Sequence, residues 1–221
     1  MSDKLPKNAS VVTSSGGAKL YAPSAARNSA ALVALLKDHA PASGMALEIA
    51  SGTGQHVTAF AAAMPGMTWH PSEIADDRIA SIDAHVADAA LTNVRPAQFL
   101  DAAQPGWPAR FGPCDLVVLV NVLHLISADA ARSIVTQAIR SLAPGGRFIC
   151  YGPFKRSGVL TSDGDARFDA DLRNADPEIG YKDDGDLRAW IAAAGGRSVA
   201  VKEMPANNLA FVIGTADRGG G

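Results

Sequence analysis

The stretch Glu48-Ile49-Ala50-Ser51-Gly52-Thr53-Gly54 places an acid and three small residues where an apolar run gives way to a helical pattern. Small residues at 50, 52 and 54 let a backbone pass close to a ligand, and the helix that follows offers free N–H groups at its start. The spacing is not the Gly-x-Gly-x-x-Gly of dinucleotide folds, and no Gly-Lys-Ser/Thr follows to make a phosphate loop. A plain tight turn would use the same residues. Glu73 shifts the balance, because it stands about 20 residues beyond the loop, where a doubly wound fold sets the carboxylate that accepts from ribose hydroxyls. Its alternative role is that of an acid at a helix start, favoured by the macrodipole. Asp101 and Asn121 close the next two apolar runs. Polar residues at the carboxyl ends of three successive strands, beside a glycine loop, converge on the crevice where such sheets bind ligands and point to a cofactor with an adenosine part.

The elements that must position these residues follow from periodicity. Helical patterns are expected over 24–39, from the loop through 63, and over 76–90, 128–142 and 186–194. Strands are expected over 45–50, 67–71, 94–100, 115–122, 147–151, 198–204 and 209–215, with Pro144-Gly145-Gly146 as a turn before the fifth. The core of the fourth, Leu-Val-Val-Leu-Val, is the continuous apolar run of a strand covered on both faces. Strands alternating with helices predict an α/β class: a doubly wound, Rossmann-like seven-stranded sheet, mostly parallel, with an antiparallel strand in the C-terminal hairpin. One domain is expected over 21–215, preceded by a flexible arm over 1–20 and followed by a disordered tail over 216–221. The polar, Gly- and Asp-rich segment 152–184 carries one short amphipathic piece, 168–173, and is long enough to be a lid or substrate segment.

Composition removes several classes of function. The chain has 221 residues and 20 basic against 22 acidic side chains, a near-neutral balance that argues against nucleic acid held by its phosphates as a partner. No apolar run approaches the ~20 residues that cross a bilayer, and the N-terminal stretch lacks the apolar core of a secretion signal, so neither a membrane nor export is expected. Two cysteines make no disulfide framework; Cys114 and Cys150 fall at opposite ends of neighbouring strands and read as buried, inert thiols. A cytoplasmic protein without a metal site is the expectation.

With these residues in hand, the chain resembles the class I S-adenosylmethionine-dependent methyltransferases. It is most similar to a little-characterised methyltransferase-like family of bacteria and animals, long catalogued as a domain of unknown function. The resemblance covers residues 21–214. It rests on Arg27-Asn28, Glu48 to His56, Trp69 to Glu73, Leu100-Asp101, Asn121 to His124, Tyr151 to Phe154, Phe168-Asp169 with Leu172-Arg173, and Met204 to Asn208. It implies that S-adenosylmethionine binds among Glu48, Ala50, Ser51, Gly52 and Gln55, with Glu73 on the ribose, Asp101 on the adenine amino group and Asn121 at the methionine end. Arg27 or Asn28 would close over the cofactor carboxylate. This chain departs from that family at Ala26, usually Glu, at Glu73, usually Asp, and over Glu178 to Lys182.

Methyl transfer from a sulfonium is an in-line displacement, so positioning can supply most of the rate, and a base matters only for a protonated acceptor. His124 and Tyr151 are the candidate catalytic groups. Phe154, Lys155, Arg173 and Asn207 are the candidate substrate-pocket residues. Tyr151 and Lys155 have the Tyr-x-x-x-Lys spacing of short-chain reductases, but Gly152-Pro153 between them opposes the helix that such chemistry needs. The expected activity is methylation of a small-molecule thiol, amine or hydroxyl. The alternatives are a non-catalytic cofactor-binding or interaction protein, and methylation of protein or nucleic acid. With aromatics only 6% of residues, Trp69, Tyr151, Phe154 and Tyr181 become the rings to follow.

Overall fold

A computed structural model describes residues 5, 6, 9, 11–14 and 17–215. The tail expected over 216–221 and part of the arm expected over 1–20 lie outside the described residues. In the described part of that arm, β1 (Thr13–Ser14) pairs antiparallel with β2 (Leu20–Tyr21).

The domain then runs α1 (Pro23–His39), β3 (Gly44–Ile49), α2 (Gln55–Ala63), β4 (Met67–Glu73), α3 (Asp76–Asp88) and β5 (Gln98–Phe99). It continues through α4 (Pro108–Phe111), β6 (Cys114–Val120), α5 (Ala128–Arg140), β7 (Leu142–Lys155), α6 (Asp163–Ala175) and β8 (Lys182–Asp183). It ends with α7 (Asp184–Ala193), β9 (Gly196–Glu203) and β10 (Asn208–Thr215). The main sheet has the order β5-β4-β3-β6-β7-β10-β9, and β8 adds a short eighth strand beside the end of β7. Pairings from β5 to β7 are parallel, and β10 runs antiparallel between β7 and β9. This is the class I methyltransferase fold. The chain leaves β3 towards β4 and β5 on one side and returns to β6 on the other, so β3 and β6 frame the switch point.

Alternation along the strands divides the core into two layers. Leu116, Val118 and Ile149 pack with Leu32 and Leu36 of α1 and Phe60 of α2, whereas Val117, Leu119 and Phe148 pack with Ile134 and Val135 of α5 and Ile191 of α7. From Leu116 to Val120 every residue of β6 is buried, as its apolar run predicts. Ser127, Ser162 and Asp183 cap α5, α6 and α7 by accepting backbone N–H groups with their side chains.

Three elements differ from the sequence expectation. The strand expected over 94–100 is reduced to Gln98–Phe99 and a single bridge from Val94 to Trp69, since Ala97 N–H, next in line for the ladder after Arg95 N–H, donates to Asp83 instead. The expected turn at Pro144-Gly145-Gly146 lies inside β7, where the register jumps from Cys114↔Leu142 to Leu116↔Arg147 and the turn residues loop out as an irregularity. The segment 152–184 is more ordered than its composition suggests. β7 runs on through Lys155, α6 has 13 residues, and β8 pairs with Phe154 and Lys155. Only Asp169 and Leu172 of α6 are buried, which is why its helical pattern is faint in the sequence.

Gly54 is a glycine that the fold cannot replace without strain. It caps α2 at φ +92, and a Cβ there would stand 2.7 Å from the Cα of Ile82 in α3. Gly54→Ala should therefore lower stability by about 2–4 kcal/mol in denaturant unfolding. Gly145→Ala, at φ +79 with open space around it, should lower it by about 1 kcal/mol.

Candidate functional site

The site grows from the end of β3. Beyond Ile49 the chain turns through Ala50 at φ 53 and Gly52 at φ 61, both in the left-handed region, and Asn121 at the end of β6 has φ 58. Two non-glycine residues held there, on the two strands that frame the switch point, mark stored backbone strain. Side chains hold the turn in place. Ser51 N–H donates to the Ser72 carbonyl at 2.8 Å, and the Ser72 hydroxyl donates to the Glu48 carbonyl at 2.8 Å. Glu73 Oε2 accepts from Gly52 N–H at 3.0 Å and its Oε1 from Ile74 N–H at 2.8 Å. Gln55 ties the turn to α1, accepting from Ala22 N–H at 2.6 Å and from the Thr53 hydroxyl at 2.9 Å.

Above this turn lies an inner cavity of about 100 Å³, lined by Ala50 to Thr53, His56, Glu73, Arg78 and Asn121, with Val11 and Val12 on its far side. It adjoins an outer cavity of about 470 Å³, with which it shares Ala9, Val11, Ser24 and Asn121. The outer walls are Arg27 from α1, His124, Pro153, Phe168 from α6, Tyr181, and Ala206 and Asn208 from the C-terminal hairpin.

Burial governs the charges here. The Glu48 carboxyl lies beneath the turn, 2% exposed, and its Oε2 has no hydrogen-bond partner among the described residues. Burial pushes it up to about 8, against the lowering effect of the Ser51 hydrogen bond and with the help of the Glu73 charge. Burial lowers His56 to about 4; its Nε2 lies 2.7 Å from Asn28 Oδ1 and its ring stacks on Phe60. Burial and then the Lys182 charge lower His124 to about 3. Both imidazoles are therefore neutral at pH 7.

A family model described as "Protein of unknown function (DUF938)" matches residues 19–214. The chain belongs to this family. Solved structures resemble this DUF938 member at the level of the fold. PigF with S-adenosylhomocysteine has a TM-score of 0.71 and 17% identity, over 86% of this chain and 56% of PigF. The O-methyltransferase family 2 protein of Planctomyces limnophilus, in complex with apigenin, has a TM-score of 0.71 and 19% identity, over 87% and 60%. CalO1, a methyltransferase of calicheamicin biosynthesis with S-adenosylhomocysteine bound, has a TM-score of 0.65 and 20% identity, over 85% and 54%. The DUF938 chain thus spans little more than half the length of these structures.

Of the residues singled out in the sequence, Ala50, Ser51, Gly52, Glu73 and Asn121 line the inner cavity, and Arg27, Asn121 and His124 line the outer one. The others stand back from both. Asp101 accepts from Ala103 N–H at 3.1 Å, and Asn28 and Gln55 hold α1 against the loop. Tyr151 is buried, its hydroxyl bonded to Asn28 and Asn208, and burial raises its pKa. Phe154, expected to face substrate or lid, is a core residue packed on Phe211 at 5.3 Å between ring centres. Lys155 and Arg173 pair with Asp169 and line a third cavity, separated from the outer one by Tyr181. Asn207 is the second left-handed residue of the hairpin turn and donates to Asp165 at 3.1 Å instead of lining the pocket.

His56, Thr53, Arg78 and Asn208 are cavity residues that their types alone did not single out. His56 and Thr53 follow the glycine loop directly, and that adjacency was the available signal. Cys114 and Cys150 are free and buried, raised by burial to about 11 and about 12.

The proton on Glu48 has a measurable consequence. Between pH 4.5 and 8 the folded protein keeps a proton that the unfolded chain has released, so stability falls as pH rises through that window. His56 and His124 act oppositely, but only below 6.5. Glu48→Gln should therefore flatten the stability profile from pH 6.5 to 8 and gain about 1–3 kcal/mol at pH 8 in denaturant unfolding.

Proposed function

We propose that this protein is an S-adenosylmethionine-dependent methyltransferase acting on a small molecule. The observation that carries the reading is the glycine turn pinned by Glu73 under the inner cavity, which adjoins a larger, partly enclosed space past Asn121. The fold and the cofactor of its S-adenosylhomocysteine-bound neighbours support it.

The residues present suit such a cofactor. Glu48 Oε2 is a buried acceptor without a partner, next to a turn whose backbone conformation needs small residues. A cationic ligand end above the turn would favour loss of the Glu48 proton and relieve that isolation. Glu73 keeps lone pairs free beyond its two backbone bonds and would take the ribose hydroxyls; Ala50 to Gly52 would lie along the ribose and methionine. The inner cavity is smaller than the ~300–1,000 Å³ usual for such ligands. Full occupancy therefore extends into the outer cavity or displaces Val11 and Val12. When bound, the cofactor supplies an electrophilic methyl group on a sulfonium. The chain supplies a partly enclosed acceptor space, and His124, neutral at pH 7, can accept a hydrogen bond there without itself carrying charge.

An acceptor volume of about 470 Å³ fits a small molecule better than a polymer. The two free, buried thiols agree with a cytoplasmic setting. The low basicity of His124 also favours a second reading, in which the cofactor is bound without turnover.

Calorimetry with S-adenosylhomocysteine should show binding, weakened at least about tenfold by Glu73→Ala. Absence of binding at millimolar ligand would overturn the proposal. Binding without methyl transfer to any thiol, amine or hydroxyl in a broad panel would select the non-catalytic reading.

A further inference from the structure

Taking the inner cavity as the S-adenosylmethionine site argued above, we propose that the outer cavity binds a small organic anion with a flat apolar body. Its charge meets Arg27 and its body lies against Phe168, Tyr181 and the imidazole of His124.

The cavity, about 470 Å³ before the cofactor takes any share of it, sets the upper limit on the ligand. Its charge sets the sign. Arg27 is the one formally charged side chain among the described residues that line it, and it has no ion-pair partner among them. His124 is neutral, and no carboxylate lines the space among the described residues. Asp165 stands behind Tyr181, held by the Tyr181 hydroxyl and the Asn207 amide, and its charge is felt at the Tyr181 hydroxyl. Behind the same wall, Lys182 donates to the carbonyls of Ile126 and Gly180, and its charge is felt at His124. The charge that a ligand in the cavity meets directly is thus that of Arg27, which opposes an ammonium ligand and favours an anion.

The shape of the wall selects the body. The rings of His124, Phe168 and Tyr181 meet pairwise edge to face, with centres 5.8, 6.1 and 6.1 Å apart and planes 61°, 67° and 76° apart. Tyr181 is fixed at both ends, its N–H donating to Asp169 at 2.6 Å and its hydroxyl to Asp165 at 3.1 Å. A rigid aromatic wall of this kind suits a planar ring.

The test is NMR titration of 4-hydroxybenzoate, 4-hydroxybenzamide and 4-hydroxybenzylamine into the protein saturated with S-adenosylhomocysteine. The carboxylate should bind at least about tenfold more tightly than the amide, with the amine weakest. Arg27→Ala should abolish the preference of carboxylate over amide, with Arg27→Lys restoring part of it. Phe168→Ala should weaken all three probes alike. Preference for the amine, absence of binding by all three, or an Arg27→Ala variant that loses S-adenosylhomocysteine but keeps the preference would each overturn the proposal. If S-adenosylhomocysteine fails to bind, the cofactor reading falls, and the same titration into the free protein still decides between an anion site and none.

Discussion

The structure depends on how the main chain is satisfied where β3 ends. Up to Ile49 the backbone of β3 is paired with β4 and β6, but beyond it the two neighbouring strands send their chains apart and the ladder stops. Buried peptide groups cannot be left without partners. The sequence answers with two serines and an acid: Ser51 N–H on the Ser72 carbonyl, the Ser72 hydroxyl on the Glu48 carbonyl, and Gly52 N–H on the Glu73 carboxylate. These bonds hold Ala50 and Gly52 in the left-handed region, and the inner cavity is the space above them. Ser81 extends the arrangement outward, donating to the Thr53 carbonyl while accepting from Leu20 N–H, so β2 and α3 are tied to the same turn.

The outer cavity is built on a different principle. Its polar side chains mostly brace the wall and do not face the ligand space. Asp169 takes Tyr181 N–H and the Arg173 guanidinium, and Asp165 takes the Tyr181 hydroxyl and the Asn207 amide. These two acids, four residues apart on α6, join the helix to β8 and to the C-terminal hairpin. Chemically promising residues such as Arg173 and Asn207 are thus spent on fixing aromatic ones. The surface that meets the ligand is left to Phe168, Tyr181 and the neutral ring of His124.

This division explains what could be read from the sequence. The inner site was legible because its demands are local: a turn in the left-handed region needs small residues, and an acid one strand away has few other duties. Glu73, Ala50, Gly52 and Asn121 all stand where the spacing implies. The acceptor side was not legible because it depends on strand register beyond the last recognisable strand residue. β7 runs four residues past Tyr151, and alternation turns Phe154 to the α5 and α7 face while Pro153 faces the cavity. Pro153 looks like a strand breaker, yet β6 ends opposite Tyr151, so β7 is open on that side and loses no bond there. Asp101 was placed by its position at the end of an apolar run, and its role on adenine was implied by the family resemblance. With β5 cut to two residues, its carboxylate serves the turn at Ala103.

The charges behind Tyr181 complete the electrostatic picture. Lys155, Arg173 and Lys182 gather around Asp169, and burial with the repulsion of Arg173 lowers Lys182 to about 8. Asp169 lies buried among them, and Glu178, Asp183 and Asp186 line the same third cavity, so the cluster carries acids as well as cations. His124 registers the nearest of these charges, since Lys182 adds to burial in holding its imidazole neutral. The ring that sequence reasoning took for a possible base is therefore kept from protonation first by burial and then by Lys182, and the formal charge that lines the space beside it is that of Arg27.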